Sequence, residues 1–194
     1  MNKYVIGCDV GFRFFGLSSF IIRDGKLYFI TGKVITTEND KLKKNVRKAD
    51  MDIENVKKLY TDLTNFLKPY VYNTGQKSAI LMACEMPHGG AQGARPNRTM
   101  GMATAFITTF IMGNGFDYYS VTPKEGKVAL AGSGNATKEE MINAMKKKVF
   151  YKNHKYLIDK IKKAELEHFA DSIGAVIHTI KYSDIFKLYM REWK

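Results

Sequence analysis

Three positions in the sequence carry side chains whose types and spacing suit the binding of divalent cations. Asp9 follows the apolar run YVIGC, and Glu85 lies at the end of the apolar run SAILMACEM. His168 and Asp171 are three residues apart in a helical pattern, so they lie on one side of that helix. Converging carboxylates can hold two Mg²⁺ about 4 Å apart, where one activates water and the other stabilises the leaving oxygen of a phosphodiester. Magnesium takes oxygen ligands and keeps several waters, so a few carboxylates suffice.

The residue patterns alone leave part of this interpretation open. Asp9 is equally compatible with the cap of a turn at a strand end. Glu85 favours a functional role, because an ionised carboxylate in so apolar a strand is expensive unless it is paired or metal-bound. On a helical wheel, His168 and Asp171 point away from the apolar stripe, which is typical of a solvent face. Small residues that permit the close approach of another element share their side, namely Ala164, Gly174 and Ala175.

The elements that must position these groups begin with β-structure. The opening is rich in Val, Ile, Phe and Tyr and predicts three strands, near 3–9, 14–23 and 26–37. Asp24-Gly25 predicts a hairpin turn between the second strand and the third. Polar residues 38–49 predict a loop. Apolar residues at helical spacing from Met51 to Leu67 predict a helix that Pro69 stops.

The second part of the chain alternates strands and helices. Residues 78–86 predict a central strand buried on both faces. The further elements are a Gly-rich loop over 87–97, a helix from Arg98 to Met112 ended by Gly113, a strand over 116–122, a helix capped by Thr137 with Glu140, and a last helix over 163–182. The order β-β-β-α-β-α-β-α-α predicts an α/β fold of the RNase H-like type, a mixed five-stranded sheet flanked by helices. We expect one nuclease domain over 1–182 and a C-terminal extension over 183–194.

Composition restricts the class of protein. The chain has 194 residues, 45% of them apolar, and a formal charge of +12. The basic excess is concentrated in residues 41–48 and 138–163, and such a field attracts a polyanion. Cys8 and Cys84 lie in apolar runs without metal-ligand spacing, which predicts buried free thiols of a reducing compartment. With no apolar stretch near the roughly 18 residues of a membrane span, we expect a cytoplasmic protein with no membrane partner.

Around the acids, the sequence resembles the RuvC family of Holliday junction resolvases. The family opens with Asp-x-Gly-x-Arg-x-x-Gly, matched here by Asp9, Gly11, Arg13 and Gly16. Its second acid ends the fourth strand, as Glu85 does, and a Gly near its dimer contact is similar to Gly101. Its Lys followed by Gly-x-Gly-x-Ala-x-Lys is matched by Lys127, Gly132, Gly134, Ala136 and Lys138. Its last-helix pair is similar to His168 and Asp171, and together these motifs cover nearly the whole chain.

The resemblance implies a crossover junction endodeoxyribonuclease that works as a homodimer on branched DNA, with paired symmetrical cuts. Asp9, Glu85, His168 and Asp171 would bind two Mg²⁺ ions per site, with Mn²⁺ able to replace them, and no organic cofactor is implied. Lys127 and Lys138 would lie near the scissile phosphate, where a cation stabilises developing charge. The candidate dimer helix is 98–112, with its apolar residues Met100, Phe106, Ile107 and Phe110. Internal core packing explains those four equally well.

Several departures from the family pattern affect the DNA contacts. Val10 replaces the usual Pro, and His88 replaces a Phe that stacks on DNA in the bacterial cellular enzymes. The loop after His88 carries Arg95 and Arg98, whose guanidinium groups suit phosphate. The candidate DNA-binding residues are therefore Arg13, His88, Arg95, Arg98, Lys127 and Lys138. A phage-encoded branch of the family would fit these differences.

Three other functions compete with this interpretation. An RNase H or transposase-like nuclease would share the fold and act on other branched DNA or on an RNA–DNA hybrid. The Asp-x-Gly motif also resembles the phosphate loop of actin-like ATPases, but those need two such lobes and this chain has one. The third alternative is not an enzyme: a protein that binds DNA junctions without cutting them.

Overall fold

A five-stranded sheet organises the chain in this computed structural model, which describes residues 2–37, 47–71, 78–88 and 93–191, apart from the side chains of residues 149 and 191. The strands are β1 Lys3–Asp9, β2 Phe14–Arg23, β3 Lys26–Thr36, β4 Ala79–Glu85 and β5 Asp117–Val121. The helices are α1 Lys48–Val71, α2 Ala94–Asn114, α3 Pro123–Ala131, α4 Lys138–Lys146, α5 Val149–Ile158, α6 Leu166–Tyr182 and α7 Asp184–Arg191. A single 3₁₀ turn, Lys163–Glu165, leads into α6.

The strand order in the sheet is β3-β2-β1-β4-β5. β1, β2 and β3 pair antiparallel, whereas β4 is parallel to β1 and β5 is parallel to β4. This is the mixed sheet predicted from the sequence. The hairpin between β2 and β3 turns at Asp24-Gly25, both of which have positive φ angles, of 50° and 67°. Such a pair of angles is the two-residue turn that Asp-Gly favours.

Helices cover both faces of the sheet and form two apolar cores. One core packs α1 and α2 against the sheet, with Cys8, Phe15 and Leu63 at its centre. The other packs α4, α6 and α7, with Phe169, Ile173 and Met145. β4 is buried along almost its whole length, as the apolar run predicted. Cys8 and Cys84 are free, buried and paired in register, in agreement with the sequence.

Several predicted helix boundaries were wrong. α1 continues past Pro69 to Val71, because a proline in the last turn deprives only one carbonyl of its partner. α2 begins at Ala94 instead of Arg98, with Pro96 tolerated in its first turn. Gly113 lies inside α2, and Gly115, with a φ of 63°, caps it instead. The predicted last helix divides into the 3₁₀ turn and α6.

The predicted element order also lacked three helices: α3, α5 and α7. Part of the predicted loop over 38–49 is helical from Lys48, and its residues 38–46 lie outside the described part of the chain. The same holds for residues 89–92 of the predicted Gly-rich loop. Among the helices that the structure describes, none is both long and apolar enough to span a membrane.

Candidate active site

Asp9 and Glu85 are neighbours because they end two adjacent parallel strands. β1 and β4 pair in parallel, and the register places Asp9 opposite Glu85. The amide of Val10 donates to the carbonyl of Glu85 at 3.0 Å, which extends the pairing past the two acids. Because successive side chains alternate between faces, and Cys8 and Cys84 belong to the core under α1 and α2, both acids face α6. Ligand sites of open α/β sheets commonly lie beyond such carboxyl ends.

Glycines in three neighbouring strands let α6 lie close to the sheet. A Cβ atom placed on Gly16 would come within 2.0 Å of the carbonyl oxygen of His168. One on Gly7 would come within 2.3 Å of the carbonyl oxygen of Ser172, and one on Gly32 within 2.1 Å of the Phe169 ring. We call these three residues the glycine trough. It brings the N-terminal half of α6 down onto Asp9, so residues far apart in sequence share one site.

His168 and Asp171 therefore face the sheet acids. Nδ1 of His168 is hydrogen-bonded to Oδ2 of Asp9 at 2.7 Å. The Phe14 ring stacks on the imidazole, with ring centroids 4.9 Å apart and planes 19° apart. Asp9, His168 and Asp171 each offer a ligand atom, and these three atoms lie within 4.8 Å of one another. Spacing of this kind suits a shared cation. The helical wheel had left open whether His168 and Asp171 face solvent or another element, and the structure shows that they face the sheet acids.

Glu85 is the most buried acid of the site, although it is not one of those three. Its Oε2 atom is buried and has no hydrogen-bond partner among the described residues. A Cβ atom on Gly126 of α3 would come within 2.6 Å of that oxygen, so the missing side chain there makes room for the carboxylate. A buried carboxylate oxygen without a donor is costly unless a cation satisfies it. The donor set of three carboxylates and one imidazole therefore fits a divalent cation.

The electrostatics of the site also favour a cation. Burial, reinforced by the charges of Asp171 and Asp9, raises the pKa of Glu85 to about 9. Burial, then the charge of Asp9, raises the pKa of Asp171 to about 7. Burial raises the pKa of Asp9 as well, against the opposing hydrogen bond from His168. Burial works against the imidazolium, but the hydrogen bond and charge of Asp9 outweigh it and raise the pKa of His168. Such crowding of like charges is relieved by bound positive charge.

The two predicted lysines belong to α3 and α4, the helices that pack against α6. Lys127 on α3 is half-buried, and its positive charge partly offsets the rise in the pKa of Glu85 and of Asp171. Lys138 begins α4 and is 80% exposed, and its Nζ lies 2.7 Å from Oε1 of Glu167. The same Glu167 oxygen is 3.4 Å from Nε2 of His168. Lys138 is thus connected to the acid cluster through Glu167.

The remaining predicted DNA contacts surround the site less closely. Arg13 is exposed and lies 5.2 Å from the centroid of the Phe14 ring, which itself stacks on His168. His88 is exposed at the end of the described segment after β4. Arg95 and Arg98 both contact the carboxylate of Asp52 on α1. The guanidinium groups are therefore placed by an acid that the sequence did not single out.

Two acids near the site were missed by the sequence analysis. Glu167 is adjacent to His168 in the first turn of α6. Acids are common in the first turn of exposed helices, so the sequence around Glu167 does not distinguish it. Asp52 lies in the predicted helix between Met51 and Ile53, and with Asp50 and Glu54 close by it has no distinguishing local pattern. Its arginine partners are more than forty positions away, so no local pattern pairs them.

Comparison with known proteins finds similarity in fold but not in sequence families. No protein-family model matches the sequence, and no curated protein matches it either. The fold is similar to that of Thermus thermophilus RuvC solved in complex with a Holliday junction substrate, with a TM-score of 0.62 and 21% identity over 94% of this chain and 95% of that one. This chain has a RuvC-type, RNase H-like fold.

Two Holliday junction resolvases from other sources are also similar in structure. The yeast mitochondrial Holliday junction resolvase Ydc2 matches with a TM-score of 0.54 and 14% identity, over 98% of this chain and 84% of that one. The fowlpox virus Holliday junction resolvase matches with a TM-score of 0.51 and 12% identity, over 92% of this chain and 97% of that one. The RuvC-type fold predicted from the ordered motifs is confirmed.

Proposed function

We propose that this protein is a metal-dependent, structure-selective DNA endonuclease that resolves Holliday junctions by paired symmetrical cuts. One observation carries the proposal: Asp9, Glu85, His168 and Asp171 converge beyond the carboxyl ends of β1 and β4, and a buried Glu85 oxygen there lacks a donor among the described residues. The RuvC-type fold supports the choice of this nuclease class over other hydrolases.

Each side chain has a role in this proposal. Asp9, Glu85, His168 and Asp171 hold divalent cations, Mg²⁺ by preference. When bound, the cations supply an activated water and stabilise the leaving oxygen. The Asp9 hydrogen bond and the Phe14 ring fix the orientation of His168. Lys127 on α3 and Lys138 at the beginning of α4 offer positive charge to the phosphate.

Branched DNA is the proposed substrate. The formal charge of +12 gives the long-range attraction that a polyanion requires. Arg13, His88, Arg95 and Arg98 are the proposed donors for backbone phosphates, and two of them, Arg13 and Arg95, line the same cleft as His168. The Thermus thermophilus protein of similar fold was solved with a Holliday junction, which supports the same substrate class here.

A homodimer would give the symmetry that paired cuts need. Within the candidate dimer helix, Ile107 and Phe110 belong to the internal core, so they are not available to a partner. The opposite face of α2 exposes Gly101, Ala105, Thr108, Thr109 and Met112. We place the dimer contact on that face. All site residues lie within 1–182, and we propose that segment as the nuclease domain, with 183–194 as an extension.

Cleavage of a synthetic immobile four-way junction tests the proposal. The purified protein is incubated with the junction, with and without Mg²⁺, and the products are separated on a denaturing gel. We expect paired symmetrical cuts that require metal. The Asp9→Asn variant should bind the junction but cut it at least about 100-fold more slowly.

Three results would contradict the proposal in different ways. Preferential cutting of an RNA–DNA hybrid would indicate another RNase H-like nuclease. Junction binding without cuts, in Mg²⁺ and in Mn²⁺, would indicate a junction-binding protein. Unchanged cleavage by Asp9→Asn would show that the proposed assignment of the metal ligands is wrong.

A further inference from the structure

A cleft of about 1140 Å³ lies at the end of the sheet opposite the proposed metal site. Its walls are the hairpin between β2 and β3, the last turn of α1, and α5. Tyr4, which lines it, and Asp9 lie at opposite ends of β1, so roughly 17 Å separate the cleft from the acids, at about 3.3 Å per residue. The residues that line this cleft all belong to the described part of the chain, and none of them is proposed to act in cleavage.

Aromatic side chains dominate the walls of the cleft. They come from the sheet, from α1 and from α5, and they are Tyr4, Tyr28, Phe29, Tyr70, Phe150 and Tyr156. Phe29 and Phe150 hold α5 on β3, with ring centroids 5.1 Å apart. Tyr28 and Tyr156, in contrast, are 47% and 66% exposed. A single exposed tyrosine needs no explanation, but two that line one cleft offer ring surface to a ligand.

The rim of the cleft carries an excess of positive charge. The cations are exposed side chains of the hairpin and of α5, namely Arg23, Lys26, Lys152 and Lys155. No acid among the described residues forms an ion pair with any of the four. The acids nearby are Asp24, in the turn itself, and Asp159, which accepts a hydrogen bond from the Tyr151 hydroxyl at 3.3 Å. These cations are therefore available to a polyanion.

Exposed rings beside available cations suit an unpaired nucleic acid strand. Successive bases of a single strand stack on aromatic side chains, while lysine and arginine neutralise its phosphates. A duplex fits this cleft less well, because its bases already stack on one another and offer no free face to a tyrosine. An acidic protein would use the cations but would leave the rings without a partner.

We propose that this cleft binds single-stranded nucleic acid, with bases stacked on Tyr28 and Tyr156 and phosphates bound by the cations of the rim. The site is separate from the metal site, so the inference does not rest on the proposed function.

Binding of an oligothymidine of about 12 nucleotides, a length within the range of known single-strand sites, tests the proposal. Fluorescence anisotropy without metal gives its Kd, and an oligouridine of equal length is measured beside it. Tyr28→Ser with Tyr156→Ser should weaken binding by about tenfold or more, because stacking is lost. The slope of log Kd against log salt should stay the same, since no charge is removed.

An abasic strand of the same length separates stacking from charge. It keeps the phosphates and lacks the bases, so the wild type should bind it about tenfold more weakly than the oligothymidine. The double tyrosine variant should bind the two strands equally.

Tyr60→Ser with Tyr118→Ser is the matched control for the tyrosines. These two are 56% and 58% exposed and lie on α1 and β5, outside the cleft. We expect a Kd within about twofold of the wild type, because scattered exposed rings carry no site.

A second variant, Lys152→Gln with Lys155→Gln, tests the cations without altering the rings. It should weaken binding of the oligothymidine and lower the salt slope by about 1.4, at about 0.7 per phosphate contact of a single strand. Lys57→Gln with Lys58→Gln changes the net charge equally, but these lysines pair with Glu54 and Asp62, and the slope should fall by less than about 0.5.

Three results would overturn the inference: equal binding of the abasic strand and the oligothymidine by the wild type, wild-type affinity in the double tyrosine variant, or tighter binding of a duplex of the same length. The double tyrosine variant should still cut a four-way junction at the wild-type rate. The binding test holds even if the wild type cuts no junction, because it measures single strands alone.

Discussion

At the residue scale, the acids of the site are held together by the backbone against their mutual repulsion. Asp9 and Glu85 meet because of strand register, and Asp171 joins them because α6 lies in the glycine trough. The pKa of Glu85 reaches about 9 through burial and through the charges of Asp171 and Asp9. A site of this kind reduces the stability of the protein without metal, and we expect a bound cation to restore it.

Glu85→Gln should stabilise the metal-free protein. An acid whose folded pKa is raised contributes no penalty below its ordinary value of 4.5, and the penalty grows as pH rises towards 9. At pH 7 to 8, the variant should raise the free energy of unfolding by about 1–3 kcal/mol and flatten its decline with pH. Urea unfolding in EDTA across this pH range measures both effects.

The same variant should lose the stabilisation that Mg²⁺ gives to the wild type, because a proposed ligand is gone. Glu54→Gln is the control, since Glu54 is 68% exposed and pairs with Lys57 on its own helix, and we expect a change within about 0.5 kcal/mol. A Glu85→Gln protein that is less stable than the wild type in EDTA would contradict this account of the site.

The sequence predicted each acid of the site individually, but it did not predict the other acids that lie near the site, Glu167 and Asp52. Glu85 was indicated by its apolar strand, and the ordered motifs singled out Asp9, His168 and Asp171. The helical wheel was misleading for His168 and Asp171, because α6 is buried on two sides, by the sheet and by α3. A helical wheel with one apolar stripe indicates only one buried face, so it does not reveal that the polar face of the helix also packs against another element. Glu167 and Asp52 depend on partners distant in sequence, so no local pattern indicates them.

At the element scale, α6 is the part that completes the site, and close backbone contact holds it. The glycine trough supports it from the sheet. On its other side, Gly174 lies against Gly126 of α3, where an added Cβ would come within 2.8 Å of the Gly126 carbonyl oxygen. Two of the small residues noted beside His168 and Asp171, Gly174 and Ala175, therefore belong to a helix–helix contact, whereas Ala164 is exposed in the 3₁₀ turn. Any side chain added at these positions moves α6 and the two site residues that it carries.

Gly16→Ala should destabilise the fold and disrupt the site together. The added methyl group would lie 2.0 Å from the carbonyl oxygen of His168, so β2 and α6 must separate. We expect the free energy of unfolding to fall by at least about 2 kcal/mol in urea titrations, with loss of Mg²⁺-dependent stabilisation.

Gly113→Ala provides the contrast. Gly113 is inside α2 and has nothing within 4 Å of an added Cβ. Replacing a helical glycine with alanine should stabilise the protein by about 0.5–1 kcal/mol. Equal effects of the two substitutions would show that close packing of α6 on the sheet is not required.

The strands were easier to predict than the helices. Apolar β-branched runs and the Asp-Gly turn located all five strands within a residue or two. The helices α3 and α5 are short, and α3 buries only Gly126 and Leu130, so neither produces a clear apolar period. A cap signal was present for α3, since Thr122 and Glu125 form a capping box like that of Thr137 and Glu140. For α3, the capping residues are therefore a better predictor of the helix than its apolar periodicity.

At the scale of the whole molecule, the proposed paired cutting requires the proposed dimer. Ala105 is exposed on the outer face of α2, between Gly101 and Thr109. Ala105→Arg should raise the dimer dissociation constant by at least about 100-fold, because a large charge would be buried in the contact. Sedimentation velocity measures the assembly, and the junction assay should then show single nicks in place of paired cuts.

Leu188→Arg on α7 is the control for that experiment. Leu188 is 56% exposed and belongs to the opposite side of the sheet from α2. It should leave the sedimentation coefficient and the paired cuts unchanged. A dimer that persists in Ala105→Arg would place the contact elsewhere.

The hydrogen bond between Asp9 and His168 joins residues 159 positions apart. Protein synthesis proceeds from the amino end, so Asp9 and Glu85 leave the ribosome long before α6 does. Until α6 packs into the glycine trough, Asp9 and Glu85 have neither His168 nor Asp171 beside them, so the proposed metal site is incomplete. A nuclease built in this way would therefore stay inactive during synthesis until the C-terminal part of its chain had folded.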